Sequence, residues 1–266
     1  MTDTFSLHRG TRPLLVSLPH VGTHIPDHLK PQFVDAALAV PDTDWHLDQL
    51  YAFVRQRGAS LLVPRMSRYV IDLNRPDDDQ PMYAASNNTG LCPTTDFAGK
   101  TIYRDGMLPD ADQIARRRDA YWRPYHDALR LELQRLVDTH GYAVLFDGHS
   151  IRSELPWLFE GRLPDLNLGT ASGTSCAASL RQELGEVLAS QSRFTHVVDG
   201  RFKGGHITRA YGRPQQGIHA VQLEMCWSCY MEEAAPFVVD ARRAASLQRV
   251  LEALVESMLE WKPHDG

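Results

Sequence analysis

Short apolar runs alternate along the chain with longer stretches in which apolar residues recur every three or four positions. The runs LLVSL (14–18), SLLVP (60–64), YVIDL (69–73), YAVLF (142–146), THVVD (195–199) and HAVQLEM (219–225) have the length and the aliphatic, β-branched content of strands. A helix is predicted over DWHLDQLYAFVRQR (44–57), where Trp45, Leu47, Leu50, Tyr51 and Val54 approximate a 3–4 spacing and Gly58 offers a stop. Another covers about 115–140, with Tyr121, Tyr125, Leu129, Leu133, Leu136 and Val137 on one face and Gly141 at its end. Pro124 inside that pattern predicts either a kink or a helix starting there. AASLRQELGEVLAS and the C-terminal ARRAASLQRVLEALVESMLEW supply two more helices. Strands alternating with helices predict an α/β fold with a mixed, largely parallel sheet. Neither an internal repeat nor a low-complexity tract is present, so the expectation is a single domain over 1–266. Residues 76–109 break the pattern: PDDDQPMYAASNNTGLCPTTDFAGK is dense in Pro, Gly, Asn, Asp and Thr, as expected of a functional loop or lid inside a compact domain.

Composition narrows the classes. Hydrophobic residues make up 43% of the chain and charged ones 23%, which suits a compact protein with an ample core. A formal charge of −5 argues against a nucleic-acid footprint. Cys92, Cys176, Cys226 and Cys229 are too scattered for a disulfide scaffold, and CWSC lacks the second pair of a zinc knuckle, so they read as structural thiols. The start MTDTFSLHRGTRP has no signal-peptide pattern and no run approaches the roughly 18 apolar residues of a membrane span, which makes a cytoplasmic location without membrane contact the expectation. Oligomeric state leaves no mark in the sequence.

Two apolar runs end alike. LLVSLPHVGTHIP carries His20, and AVLFDGHSIRSELP carries His149, each beside a glycine where a strand is expected to finish. Ligands in open α/β sheets bind outside the carboxyl ends of strands, so the two imidazoles meet if their strands are neighbours. Such a pair suits a metal, and a catalytic zinc then needs a third protein ligand and a position for water. PDTDWH offers Asp44 as that carboxylate, with Asp42 and His24 as alternatives; helix capping is the competing role for either aspartate. Hydrolysis also needs a base, and Glu224, embedded in HAVQLEM, is the candidate unless it forms a buried ion pair with an arginine. Arg68, Asn74 and Arg75 in SRYVIDLNRP, and Arg201, Lys203, Arg209 and Arg213 in GRFKGGHITRAYGRP, point to a small anionic substrate.

Taken in order, SLPHVGTHIP, DTDWHLDQLY, SRYVIDLNRP, TGLCPTTDF, YWRPYHDAL, DGHSIRS, FEGRLPDLNLGT, FKGGHITRAYGRP and HAVQLEM resemble the N-formylglutamate amidohydrolases across nearly the whole chain. The resemblance implies hydrolysis of N-formyl-L-glutamate to formate and L-glutamate, the last step of one route of histidine degradation. It also implies a three-layer α/β/α fold related to the zinc carboxypeptidases and aspartoacylase, a phosphorylase/hydrolase-like architecture with Zn2+, or another divalent metal, at the strand ends. By similarity to the aspartoacylase DLNR motif, Asn74 and Arg75 bind a substrate carboxylate, Arg68 steadies the oxyanion, and Glu224 is the catalytic glutamate. The expected set is therefore His20, Asp44 and His149 on the metal, with Arg209 taking the second carboxylate. Other readings are an amidohydrolase for another N-acyl amino acid, or a non-catalytic dicarboxylate-binding protein. Two positions depart from the related pattern: Thr23 stands where carboxypeptidases place an acidic ligand, and His206 where a GGYITR form has tyrosine.

Overall fold

The computed structural model describes residues 4–80 and 89–263. Among these, one seven-stranded sheet combines β1 (Phe5–His8), β2 (Leu14–Ser17), β3 (Ser60–Pro64), β4 (Ala143–Ile151), β5 (Leu166–Gly169), β6 (His196–Val198) and β7 (Ile218–Cys226) in the order β1-β3-β2-β4-β7-β5-β6. The central β3, β2, β4 and β7 are parallel; β1 is antiparallel to β3, and β5 is antiparallel to β7 with β6 parallel to it. The helices are α1 (Asp35–Leu38), α2 (Leu47–Leu50), α3 (Ala111–Arg117), α4 (Arg123–His140), α5 (Ala178–Ala189), α6 (His206–Tyr211) and α7 (Ala241–Glu260).

Strand alternation builds a layer on each face. Leu14, Val16, Val144, Phe146, Val221 and Leu223 pack in one cluster with Leu47 of α2, Leu184 of α5 and Leu251 of α7. Leu15, Leu145 and Ala220 pack on the opposite face with Leu129, Leu133 and Leu136 of α4. The outcome is the expected three-layer α/β/α arrangement around a mixed, largely parallel sheet. β2 stops at Ser17, opposite Asp147, whereas β4 and β7 remain paired as far as Ile151 and Cys226. The last residues of β4 therefore stand clear of β2, and the space above β2 is where the polar groups collect.

Several sequence expectations shift for identifiable reasons. The run 142–146 continues as strand through Ile151, so Asp147 to Ser150 lie within β4 and not past its exit. A Cβ at Gly148 would come within 2.7 Å of Leu18 Cδ2 and also crowd Tyr51, so a larger residue there would force these side chains to move. The run 69–73 forms no strand: its five residues are all buried, but Asp72 Oδ1 accepts the Asn74 N–H at 2.8 Å, a local turn that draws the backbone out of any ladder. The helix expected over 44–57 is split into α2 and a 3-10 turn, Ala52–Arg55, and the chain enters α2 through His46 at φ 63°. The long helix begins earlier than expected, and a π turn over Arg118–Trp122 joins α3 to α4 just ahead of Pro124. One wide turn there accommodates the N–H that proline lacks. β1 and β5 were not anticipated, being only four residues each. All four cysteines are free and buried, and burial pushes the Cys92 thiol up to about 11 and that of Cys176 to about 12, far from thiolate chemistry. No helix among the described residues is long and apolar enough to cross a membrane.

His126, on the buried face of α4, donates from Nε2 to Leu73 O at 2.8 Å and lies 2.9 Å from Tyr211 Oη through Nδ1. Burial lowers its pKa from 6.5 to about 3. The unfolded chain binds this proton more readily than the native one, so His126 leaves stability intact above about 6.5 and erodes it as pH falls toward about 3, by at most roughly 5 kcal/mol. Urea unfolding between these limits should show a shallower loss of stability with acid in His126→Gln than in the parent; parallel curves would remove the assignment.

Candidate active site

Three buried side chains converge above β2. His20 follows the end of β2, His149 belongs to the part of β4 that extends past β2, and Asp44 lies in the turn before α2; one donor atom of each lies within 4.8 Å of the others. The Asp44 carboxylate is 3.8 Å from His20 Nδ1 and 3.2 Å from His149 Nδ1, and the two rings are 4.9 Å apart between centroids. The Asp44 N–H also donates to His20 O at 3.0 Å, which ties its turn to the segment leaving β2. Asp44 does not cap α2, whose N-cap is His46. The alternatives are placed elsewhere: Asp42 accepts from Tyr69 Oη at 2.7 Å and Phe97 N–H at 2.8 Å, and His24 is exposed.

A second tier of carboxylates orients both rings. His20 Nε2 is 2.7 Å from Asp72 Oδ1, and His149 Nε2 is 2.9 Å from Asp147 Oδ2. A proton held on each Nε2 leaves the Nδ1 lone pairs turned toward Asp44, the tautomer that metal-ligating histidines need. Asp72 also accepts from Arg68 Nη2 at 2.7 Å; burial would raise its pKa, but His20, Arg68 and Arg75 more than offset this and hold it well below the carboxylate range. Burial opposes charge on His149, yet Asp147 and Asp44 outweigh it and keep the ring's affinity for a proton well above the usual value. A proton and a divalent cation thus compete for one position beside Asp44. Two imidazole nitrogens and one carboxylate oxygen, buried and oriented from behind, fit zinc or a similar divalent ion.

The site opens into a cavity of about 160 Å³ whose lining includes His20, Asp44, His149, Glu224, Arg68, Asn74, Arg75, Gln222 and Arg201. Glu224 on β7 is the register partner of His149, so the two side chains share a face of adjacent strands. Burial pushes the Glu224 carboxyl up to about 8, with His149 and Arg68 pulling against it and Asp44 adding to it. Among the described residues no arginine or lysine lies within ion-pair distance of that carboxylate, so it has no buried salt bridge. Arg68 is held by Asp72 and rests 4.5 Å from the Phe97 ring centroid. Arg75 donates to Asn74 O at 3.0 Å and to Thr89 O at 2.8 Å. The Asn74 side chain turns inward: Oδ1 accepts the Ile207 N–H at 2.8 Å and Nδ2 lies 3.4 Å from Asp147 Oδ2 and 2.9 Å from His149 Nε2. Arg209, on α6, donates from Nε to Gly204 O and does not line the cavity. Of the segment 76–109, Thr89 and Phe97 line the cavity, and the expectation of a lid falls partly on 81–88, outside the described residues.

The family model of the N-formylglutamate amidohydrolases matches residues 12–231, which include every residue of this cavity. The chain belongs to the N-formylglutamate amidohydrolase family. It is 49% identical over 261 residues to a protein named N-formylglutamate deformylase from Pseudomonas putida, covering 98% of this chain and 97% of that one, and equally identical to one of the same name from Pseudomonas aeruginosa. The crystal structure of an N-formylglutamate amidohydrolase from Ralstonia eutropha JMP134 superposes with a TM-score of 0.83 at 25% identity, covering 97% of each chain. The gene product Atu2144 from Agrobacterium tumefaciens shares the fold, with a TM-score of 0.71 at 16% identity over 96% of this chain and 94% of that one.

Within this amidohydrolase, the carboxylates behind the histidines were the chief omission of sequence reasoning. Asp147 lies two residues before His149, so strand periodicity places both on one face and could have suggested the pair. Asp72 gave no such signal, because its partner is 52 positions away. Gln222 was also missed; it occupies the cavity face two residues before Glu224, and its Oε1 accepts the Gly205 N–H at 2.7 Å. Gly205 cannot carry a Cβ there, since the atom would collide with the Asn74 amide. His206, the departure from tyrosine, packs at 6.0 Å from Trp122 and 5.7 Å from His126 and does not line the cavity.

Proposed function

We propose that this chain hydrolyses N-formyl-L-glutamate to formate and L-glutamate, with a divalent metal, zinc first among the candidates, held by His20, Asp44 and His149. The observation that carries the reading is the convergence of those three donors in one cavity with an unpaired, buried glutamate and several guanidinium groups. The deformylase names of its half-identical relatives favour the same substrate. When bound, the metal would supply Lewis acidity, polarising the formyl carbonyl and making water easier to deprotonate.

The protein's own groups do the rest. Glu224, whose carboxyl burial pushes up to about 8, takes a proton from water in its ionised form as the water attacks the formyl carbon, and returns it to the departing amine nitrogen. Arg68, held by Asp72 and the face of Phe97, donates to the oxygen on which negative charge develops, a contribution of about 3 to 4 kcal/mol for one such donor. Arg75 binds one substrate carboxylate; Asn74 supports it through its backbone carbonyl and donates from its side-chain amide to Asp147, the carboxylate behind His149. The activity would close one route of histidine degradation in the cytoplasm, and the ligand is a small anion.

Metal-analysed protein incubated with N-formyl-L-glutamate should release formate, lose that activity on chelation and regain it with added zinc. N-acetyl-L-glutamate should yield little acetate under the same conditions. Undiminished formate release from protein stripped of metal would refute the metal requirement, and equal turnover of the acetyl compound would refute formyl selectivity.

A further inference from the structure

Resting on the deformylase reading, we infer that Arg201 recognises the side-chain carboxylate of the substrate and sets the preference for an N-formylated acidic amino acid. Arg201 lies in the turn between β6 and α6 and lines the same cavity as Glu224 and the metal-site residues. Its Nη2 donates to Leu158 O, and its guanidinium sits 5.8 Å from the Phe159 ring centroid. Among the described residues it has no carboxylate partner, in contrast to Arg68, which is paired with Asp72 at 2.7 Å. A guanidinium aimed by a carbonyl and an aromatic face, beside a cavity and without an anion of its own, is arranged to receive one from a ligand.

Position separates the roles of the two cations. Arg75 is bonded to Asn74, whose amide touches the His149–Asp147 pair, so it serves the carboxylate near the scissile amide. Arg201 is exposed on its outer side and lines the cavity together with Leu158, Phe159 and Phe202, an apolar strip suited to the methylenes that lead to the distal carboxylate. The turn is tied at both ends. Asp199, at φ 53°, accepts the N–H groups of Thr170 and Ser172 and pairs with Arg181 at 3.0 Å, while Gly205 N–H is bound by Gln222. An arginine on such a braced turn is preorganised, so less ordering entropy is lost on binding.

The test compares Arg201→Gln and Arg201→Lys with the parent, using N-formyl-L-glutamate and N-formyl-L-glutamine. Arg201→Gln should lower kcat/KM for the diacid about 10- to 100-fold, the scale of a lost charge-assisted hydrogen bond, while changing that for the amide by less than about threefold. Arg201→Lys should recover part of the diacid rate. Equal losses on both substrates, or none on the diacid, would overturn the inference. Calorimetric binding of glutarate and glutaramate is a parallel readout independent of turnover. A parent that releases no formate refutes the deformylase reading alone; Arg201 then stands if Arg201→Gln weakens glutarate selectively and falls if it does not.

Discussion

Glu224→Gln is expected to lower kcat for formate release by about three orders of magnitude, within the range for losing a positioned proton-transfer group, while metal content stays at the parent level. The substitution preserves shape but removes the proton acceptor. It also removes a carboxyl group whose ionised form burial disfavours more than His149 and Arg68 favour it, and that no arginine or lysine among the described residues pairs with, so the fold should be no less stable. Metal analysis, a melting curve and steady-state kinetics on one preparation decide the matter. A kcat within tenfold of the parent would take the role of base away from Glu224; equal loss of metal and activity would make it a structural support of the pocket.

His149→Ala should abolish bound metal and turnover together. Only His20 and Asp44 would remain as ligands, fewer than the three that catalytic zinc commonly uses. Asp147, fully buried, would keep Ser17 Oγ at 3.1 Å and the Asn74 amide at 3.4 Å but lose its imidazole partner. Breaking a buried pair in this way costs about 3–5 kcal/mol, so a lowered urea midpoint should accompany the loss of metal. A variant that still binds zinc stoichiometrically would show that His149 is not a ligand.

These expectations rest on different depths of reading. His20, His149 and Glu224 were legible because each interrupts or closes an apolar run, where a buried polar group needs a reason. Asp44 was one of two aspartates, and the choice over Asp42 became visible only once Tyr69 and Phe97 were seen to occupy the latter. Arg209 and Arg201 looked alike in a stretch rich in glycine and arginine, yet Arg209 is on a short helix and donates to Gly204 O, while Arg201 is among the residues that line the cavity. Asn74 was read as a substrate donor by similarity; its side chain lines the cavity, with the amide 3.4 Å from Asp147 Oδ2 and Oδ1 accepting the Ile207 N–H. The run at 69–73 had strand composition, but Asp72 redirected it into turns.

Periodicity and composition by themselves determined an α/β fold with a largely parallel or mixed sheet, most of its strands, and the kinds of side chain that would need partners at their ends. These are local properties, since the burial of alternate residues in a strand or of one helix face is written in spacings of a few positions. Which partner each polar group takes was decided only by the tertiary structure. Asp72 reaching His20 and Arg68, Glu224 standing beside His149, and Arg201 facing the cavity all depend on crossovers that bring distant segments within hydrogen-bond range. Electrostatic pairing acts over a few ångströms in space and carries no period along the chain, so the sequence contains the groups without stating their meeting.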